Sequence, residues 1–282
     1  MAIWTRNRRW LLIMVVAATL VCTLDAPGQD QDAKGPARDA TAARNNPLVE
    51  RWKREAAEYR IVVQTSPETV PSLRAEPALE WTNPIRADDG VCLLWVADGR
   101  PQAFACFFRY GGRVSEAHEF HSLATVPLVA SLDRQPLWHP RGPGIRPETI
   151  PGAPKPAASA AERLRQMRGL AREFKASVDL EKGGTELRLL SQPLFRYESK
   201  SDGAIFAFVM ATDPEALLLI DERTGDGGPA WHYSFARMSN HSLAAKRKDR
   251  IVWEAPVDPH DTDPAKPYFV RWDAEPRVRA TP

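Results

Sequence analysis

The stretch Gly203–Arg223, GAIFAFVMATDPEALLLIDER, constrains the fold more than any other part of the chain. Ile205, Ala207 and Val209 alternate with Phe206, Phe208 and Met210. Successive side chains on a strand point to opposite faces, so both faces of this strand are apolar and both need cover. Thr212-Asp213-Pro214-Glu215 carries turn chemistry, since Asp bonds its own backbone and Pro presets φ. Leu217–Ile220 then runs back, again apolar on both sides. Such a pair belongs at the centre of a sheet in the middle of a core.

The flanking sequence extends this β pattern. Val91–Ala97 and Gln102–Tyr110 bracket Asp98-Gly99-Arg100, a strong hairpin signal. A three-residue loop there pairs Ala97 with Pro101 and sets Cys92 opposite Cys106. Further strands are expected at Tyr59–Gln64, Val70–Arg74, Ala78–Trp81, Ser115–Leu123 and Leu128–Leu132. In the second half they are expected at Glu186–Leu190, Leu194–Glu198, Arg250–Glu254 and Tyr268–Trp272. Trp231–Met238 alternates aromatic and small or polar residues and reads as half-exposed. Asp226-Gly227-Gly228 reads as a hairpin loop. Two helices accompany the strands. Asn46-Pro47 supplies an N-cap and a first-turn proline for Pro47–Glu58. Ser159-Ala160-Ala161-Glu162 is a capping box for Ser159–Val178, with an apolar stripe from Leu164 to Val178. Seven prolines within Gln135–Pro156 argue against regular structure there. Short connections favour an antiparallel meander. The fold class is therefore α+β: an antiparallel β-rich core of hairpins with two flanking helices.

Residues 1–26 read as a targeting segment. Arg6, Arg8 and Arg9 precede the uncharged run Trp10–Leu24, which is short for a membrane span of about 20 residues. Asn7-Arg8-Arg9-Trp10-Leu11-Leu12 loosely resembles a twin-arginine signal. No good cleavage site precedes Pro27, so a cleaved signal and an uncleaved anchor both stay open. Residues 27–45 read as a disordered linker, 46–275 as one domain with a Pro-rich crossing at 135–157, and 276–282 as a disordered tail. The formal net charge of +2 vanishes when residues 1–26 are set aside. That balance speaks against nucleic acid as a partner. Export to the periplasm or beyond is expected, with membrane contact only through the N-terminal segment.

Several segments carry a family resemblance: EAAEYRI at Glu55–Ile61, LEWTNPI at Leu79–Ile85, LLWVADGRPQAFACFFR at Leu93–Arg109 and HEFHSL at His118–Leu123. RLRQMRGLAREFKASVD at Arg163–Asp179, LRLLSQPLFRYES at Leu187–Ser199 and the central hairpin add to it. Together they resemble an uncharacterised secreted protein family of planctomycete-type bacteria, over most of Pro47–Glu254. The resemblance implies export and a shared fold; it implies no activity and no site residues.

His118-Glu119-Phe120-His121 is the most chemical-looking run. A zinc-protease helix places its histidines four apart, whereas these are three apart. On a strand they face opposite ways, which argues against a shared metal. Glu119 and His121 would share a face and are the candidate acid–base pair. The plainer reading is a polar strand face with Phe120 turned inward. Cys92 and Cys106 read as buried thiols, since directly opposed strand residues fit disulfide geometry poorly, while export leaves a disulfide between them open. The basic stripe Arg165, Arg168, Arg172 and Lys175 reads as a solvated helix face, and Ala245–Arg250 as a charged turn. The nucleophile-elbow, phosphate-loop and dinucleotide signatures are missing, and no cofactor is implied. Dispersed carboxylate pairs for glycoside chemistry stay open. Two functions follow: a non-enzymatic binding or scaffolding module for an envelope protein or ligand, or an envelope hydrolase using Glu119 with His121.

Overall fold

The computed structural model describes residues 46–65, 67–84, 88–110, 115–180, 183–198 and 202–272. The expected targeting segment, linker and tail lie outside these. Among the described residues, no helix is long and apolar enough to cross a membrane.

Helix α1 (Pro47–Ala56) begins where Asn46 Oδ1 accepts from the Leu48 N–H, and its Val49, Trp52 and Ala56 face the core. Strands β1 (Arg60–Val63), β2 (Ser72–Leu73) and β3 (Leu79–Asn83) follow. Next come β4 (Asp88–Ala97), β5 (Arg100–Arg109), β6 (Glu116–Ser122) and β7 (Leu128–Leu132). The Pro-rich stretch contributes β8 (Gln135–Trp138) and β9 (Glu148–Thr149). After α2 (Ala160–Ala171) come β10 (Phe174–Leu180), β11 (Gly183–Leu189), β12 (Phe195–Glu198), β13 (Asp202–Met210) and β14 (Asp213–Gly225). The chain continues through β15 (Gly228–Arg237), β16 (Ser242–Arg247), β17 (Arg250–Ala255) and β18 (Tyr268–Arg271).

The strand pairs are antiparallel and make three sheets. One sheet has the order β1-β7-β8. A six-stranded sheet runs β18-β6-β5-β4-β2, with β3 also on β4. A nine-stranded sheet runs β17-β16-β10-β11-β13-β14-β15-β9, with β12 also on β13. The fold is thus mostly antiparallel β with two short helices.

The central hairpin lies where its sequence requires. Ile205, Ala207, Val209, Leu217 and Leu219 pack against Cys92, Leu94, Phe104 and Cys106 of the six-stranded sheet. Phe206, Phe208, Leu218 and Ile220 face the other way, onto Met167 and Leu170 of α2 and the curled β10–β16 region. The far face of the six-stranded sheet is covered by α1 and the three-stranded sheet, through Trp52, Ile61, Leu128 and Trp138.

Local details depart from the sequence reading in instructive ways. The helix from Ser159 stops at Ala171, and Phe174, Ala176 and Val178 are the buried alternate positions of a strand held between β11 and β16. Tertiary pairing on two sides overrides a helical stripe. In the Pro-rich crossing, β8 forms despite Pro136 because it is an edge strand, where a missing N–H costs no ladder bond. The expected charged turn at Ala245–Arg250 is mostly strand; only Lys248 and Asp249 turn, both with positive φ. The central hairpin reverses at Ala211-Thr212, with Ala211 at φ 54°, while Asp213, Pro214 and Glu215 already belong to β14. Pro214 is accommodated where the register shifts beside Val209. Asp98-Gly99 makes a two-residue turn, and a bulge between Trp95 and Val96 restores the Cys92–Cys106 register. Strand β15 is buried on both faces from Tyr233 to Arg237, not half-exposed.

Candidate functional site

At the seam between the two large sheets, the Thr212 hydroxyl donates to Thr82 O at 2.7 Å and accepts from the Thr82 N–H at 2.9 Å. Beside this clamp opens a cleft of about 170 Å³. Its carboxyl-bearing residues are Asp88, Glu119, Asp213 and Glu215, and its aromatic ones are Trp81, Phe108, Tyr110, Tyr268 and Trp272. Among the described residues, none of those lining it is Lys or Arg. Strands β3, β4 and β5 supply one wall, β6 and β18 the floor, and β14 with the 238–241 segment the other side.

The aromatic walls hold each other at steep angles. Tyr110 and Trp272 lie 5.3 Å apart at 85°, and Phe108 and Trp272 lie 6.3 Å apart at 88°. Trp81 reaches Phe108 at 5.8 Å by lying across its cross-strand neighbour Gly90. A Cβ at position 90 would stand 2.6 Å from the indole, so only glycine admits this ring.

Electrostatics are set by burial. Glu119 is 7% exposed, and desolvation pushes its carboxyl up to about 8. The Tyr268 hydroxyl donates to Glu119 Oε1 at 2.6 Å and pulls the other way, while the nearby Glu215 adds to the rise. Arg237 sits behind the site. Its guanidinium donates to the carbonyls of Ser239, His241 and Pro256 at 2.7–2.9 Å and lies 5.0 Å from the Tyr268 ring. These bonds fix the 239–241 wall. Asn83, fully buried, donates to Asp213 Oδ2 at 3.4 Å. The result is a neutral acid beside further carboxyl groups, inside aromatic walls.

The run His118–His121 forms part of β6, all seven of whose residues are buried. This departs from a solvated polar face: the sheet is covered on both sides, so each polar group needs a partner within the protein. Glu119 and His121 share a face, yet their partners differ. His121 Nδ1 bonds Ser122 O at 2.9 Å, and its ring lies outside the cleft. Burial lowers His121 to about 4.

His118 points to the opposite face and belongs to a latch beneath α1. Arg271 Nη1 donates to Tyr59 Oη at 3.2 Å, and the Tyr59 hydroxyl shares a hydrogen bond with His118 Nδ1 at 2.7 Å. His118 Nε2 lies 3.5 Å from Glu55 Oε2. Phe107 stacks on the imidazole at 3.6 Å. Glu116, on the same face, accepts from Trp52 Nε1 at 3.0 Å and from Arg51. The two histidines thus serve different layers, and among the described residues no cluster of three His, Cys, Asp or Glu is arranged to hold a metal.

Cys92 and Cys106 stand opposite each other as buried thiols, Sγ to Sγ 2.8 Å, and burial pushes both upward. Sequence reasoning missed Asp213 and Glu215, which it placed in a turn, and Tyr110 and Trp272, which it placed at strand ends. Two carboxyls spaced i, i+2 around Pro214, leading into an apolar strand, were the available signal.

Comparison with protein-family models, with curated proteins and with solved structures gives no match.

Proposed function

We propose that this is an exported envelope binding module whose cleft takes a small organic cation. The observation that carries the reading is the composition of the cleft: four carboxyl-bearing residues, perpendicular aromatic walls and, among the described residues, no Lys or Arg, with His241 its single imidazole. Aromatic faces attract ammonium groups through the ring quadrupole, and desolvated carboxylates strengthen the attraction. A cleft of about 170 Å³ suits an alkylammonium head group and excludes a polymer chain. Export and kinship with the planctomycete-type secreted family remain part of the proposal, resting on the N-terminal pattern and the quoted segments.

The test is calorimetry on the full chain with tetramethylammonium and with choline. Saturable binding is expected, weakened by Glu215→Gln and by Trp272→Ala. Absence of heat with both probes would overturn it. One observation favours a second reading: Glu119 stays protonated near neutral pH with Glu215 close by, so two carboxyl groups share one cleft and one of them is held as an acid. That reading keeps Glu119 from the sequence-derived acid–base pair and replaces His121 with Glu215. Hydrolysis of aryl glycosides that fades as pH rises through about 8, and is lost in Glu119→Gln, would support it.

A further inference from the structure

A second cavity lies at the tip of the β4–β5 hairpin, where that tip meets β14. It measures about 80 Å³ and is lined by Arg100, Gln102, Thr125, Tyr197 and Arg223 among others. Arg100 Nη2 and Arg223 Nη2 both donate to one oxygen, Asp221 Oδ2, at 3.2 and 3.0 Å. One carboxylate thus faces two guanidinium groups through a single oxygen, while its Oδ1 is buried without a hydrogen-bond partner. Arg223 Nε is buried with no hydrogen-bond partner, and so is the hydroxyl of Tyr197, a residue 3% exposed.

The position of that hydroxyl is built in. Tyr197 pairs with Gly203 across β12 and β13, and a Cβ on Gly203 would fall 2.3 Å from the phenol ring. The Arg100 guanidinium covers the same ring at 5.3 Å from its centroid. A buried donor without an acceptor is costly to keep, and two such donors belong to residues that line this one small polar cavity.

We infer that this cavity is a binding site for a small oxyanion, held by the Arg100 and Arg223 guanidinium groups and the Tyr197 hydroxyl. Planar guanidinium forks suit carboxylate and phosphate oxygens alike, and the hydroxyl adds a neutral donor. The volume admits one small anion or an acidic group at the end of a larger ligand, and not a nucleotide. The site is separate from the acidic cleft and opposite to it in charge preference.

The experiment uses the full chain and follows its thermal midpoint in rising inorganic phosphate, with acetate and sodium chloride at matched ionic strength as further arms. A midpoint that climbs with the logarithm of phosphate concentration, and not with chloride, is the expected result. Response to acetate as well assigns a carboxylate-tolerant site; response to phosphate alone assigns a tetrahedral one. The deciding variant is Tyr197→Phe, which keeps the ring and removes only the unpartnered hydroxyl. It should leave the anion-free midpoint unchanged or raised and weaken phosphate about tenfold. Arg223→Gln should weaken it further. A midpoint that tracks ionic strength alone, or a Tyr197→Phe variant that binds phosphate as tightly as the parent, would overturn the assignment.

Discussion

Tyr268 and Glu119 are diagonal neighbours across the β18–β6 ladder, and the phenol donates to the carboxyl at 2.6 Å. The same pairing seats Tyr268 directly opposite His121. Strand β18 therefore supplies a hydroxyl donor to Glu119 and packs against its neighbour His121.

Glu119 ought to make stability fall as pH rises. Its carboxyl is raised from 4.5 to about 8, so the folded state holds a proton that the unfolded state releases. The stabilising contribution is full below pH 4.5 and is lost by about pH 8. Glu119→Gln should therefore gain on the parent across that window, by an amount on the order of 3–5 kcal/mol if the whole shift is realised. Urea midpoints of both proteins between pH 5 and pH 9 check this; parallel curves would show that Glu119 ionises freely.

The buried histidines act in the opposite direction. His121 is lowered from 6.5 to about 4 and His118 is lowered as well, both chiefly by desolvation. The unfolded state takes up protons that the folded state refuses, so stability falls as pH drops below 6.5, with the His121 contribution exhausted near 4. His121→Asn should flatten the acid limb of the stability profile without shifting its alkaline limb.

Phe208→Ala should cost about 3–5 kcal/mol, the range for truncating a buried phenylalanine. Phe208 is 1% exposed and stacks near Phe235 within the curled part of the nine-stranded sheet. Chemical denaturation measures it, and an unchanged midpoint would contradict the two-sided burial of β13.

Cys92 and Cys106 should resist alkylation in the native protein and label fully on denaturation without reductant. Both are buried, and burial holds both thiols above their ordinary range, leaving little thiolate to react. Peptide mapping counts the labels. A bridged pair would show none under either condition.

The layers of this fold were legible because apolar periodicity reports burial directly. Ile205 and Phe206 declare opposite faces of a strand whatever lies above them. Helix length was less legible: Leu164, Met167, Leu170, Phe174 and Val178 fit a helical stripe, yet Phe174, Ala176 and Val178 fit a strand equally well, and the choice rests with β11 and β16. The cleft was harder still. Glu119 drew notice because of its histidine neighbours, while its companions in the cleft come from β3, β4, β5, β14 and β18. No local spacing announces residues that only the stacking of two sheets brings together. Polar residues in β6 suggested a wet surface because sequence shows their chemistry and not their partners; those partners, Tyr59 and Tyr268 among them, lie far off along the chain.

That distance bears on how the molecule is made. Glu119 and the tyrosine that satisfies it are 149 residues apart. Until β18 arrives, a growing chain presents β6 as an open edge whose acid lacks the Tyr268 donor, so the six-stranded sheet is left unfinished while the nine-stranded sheet is already emerging. Contacts of such separation are slow to close. A nascent chain stalled before residue 268 should therefore remain protease-sensitive, and limited proteolysis of stalled chains should show it harden once β18 is released.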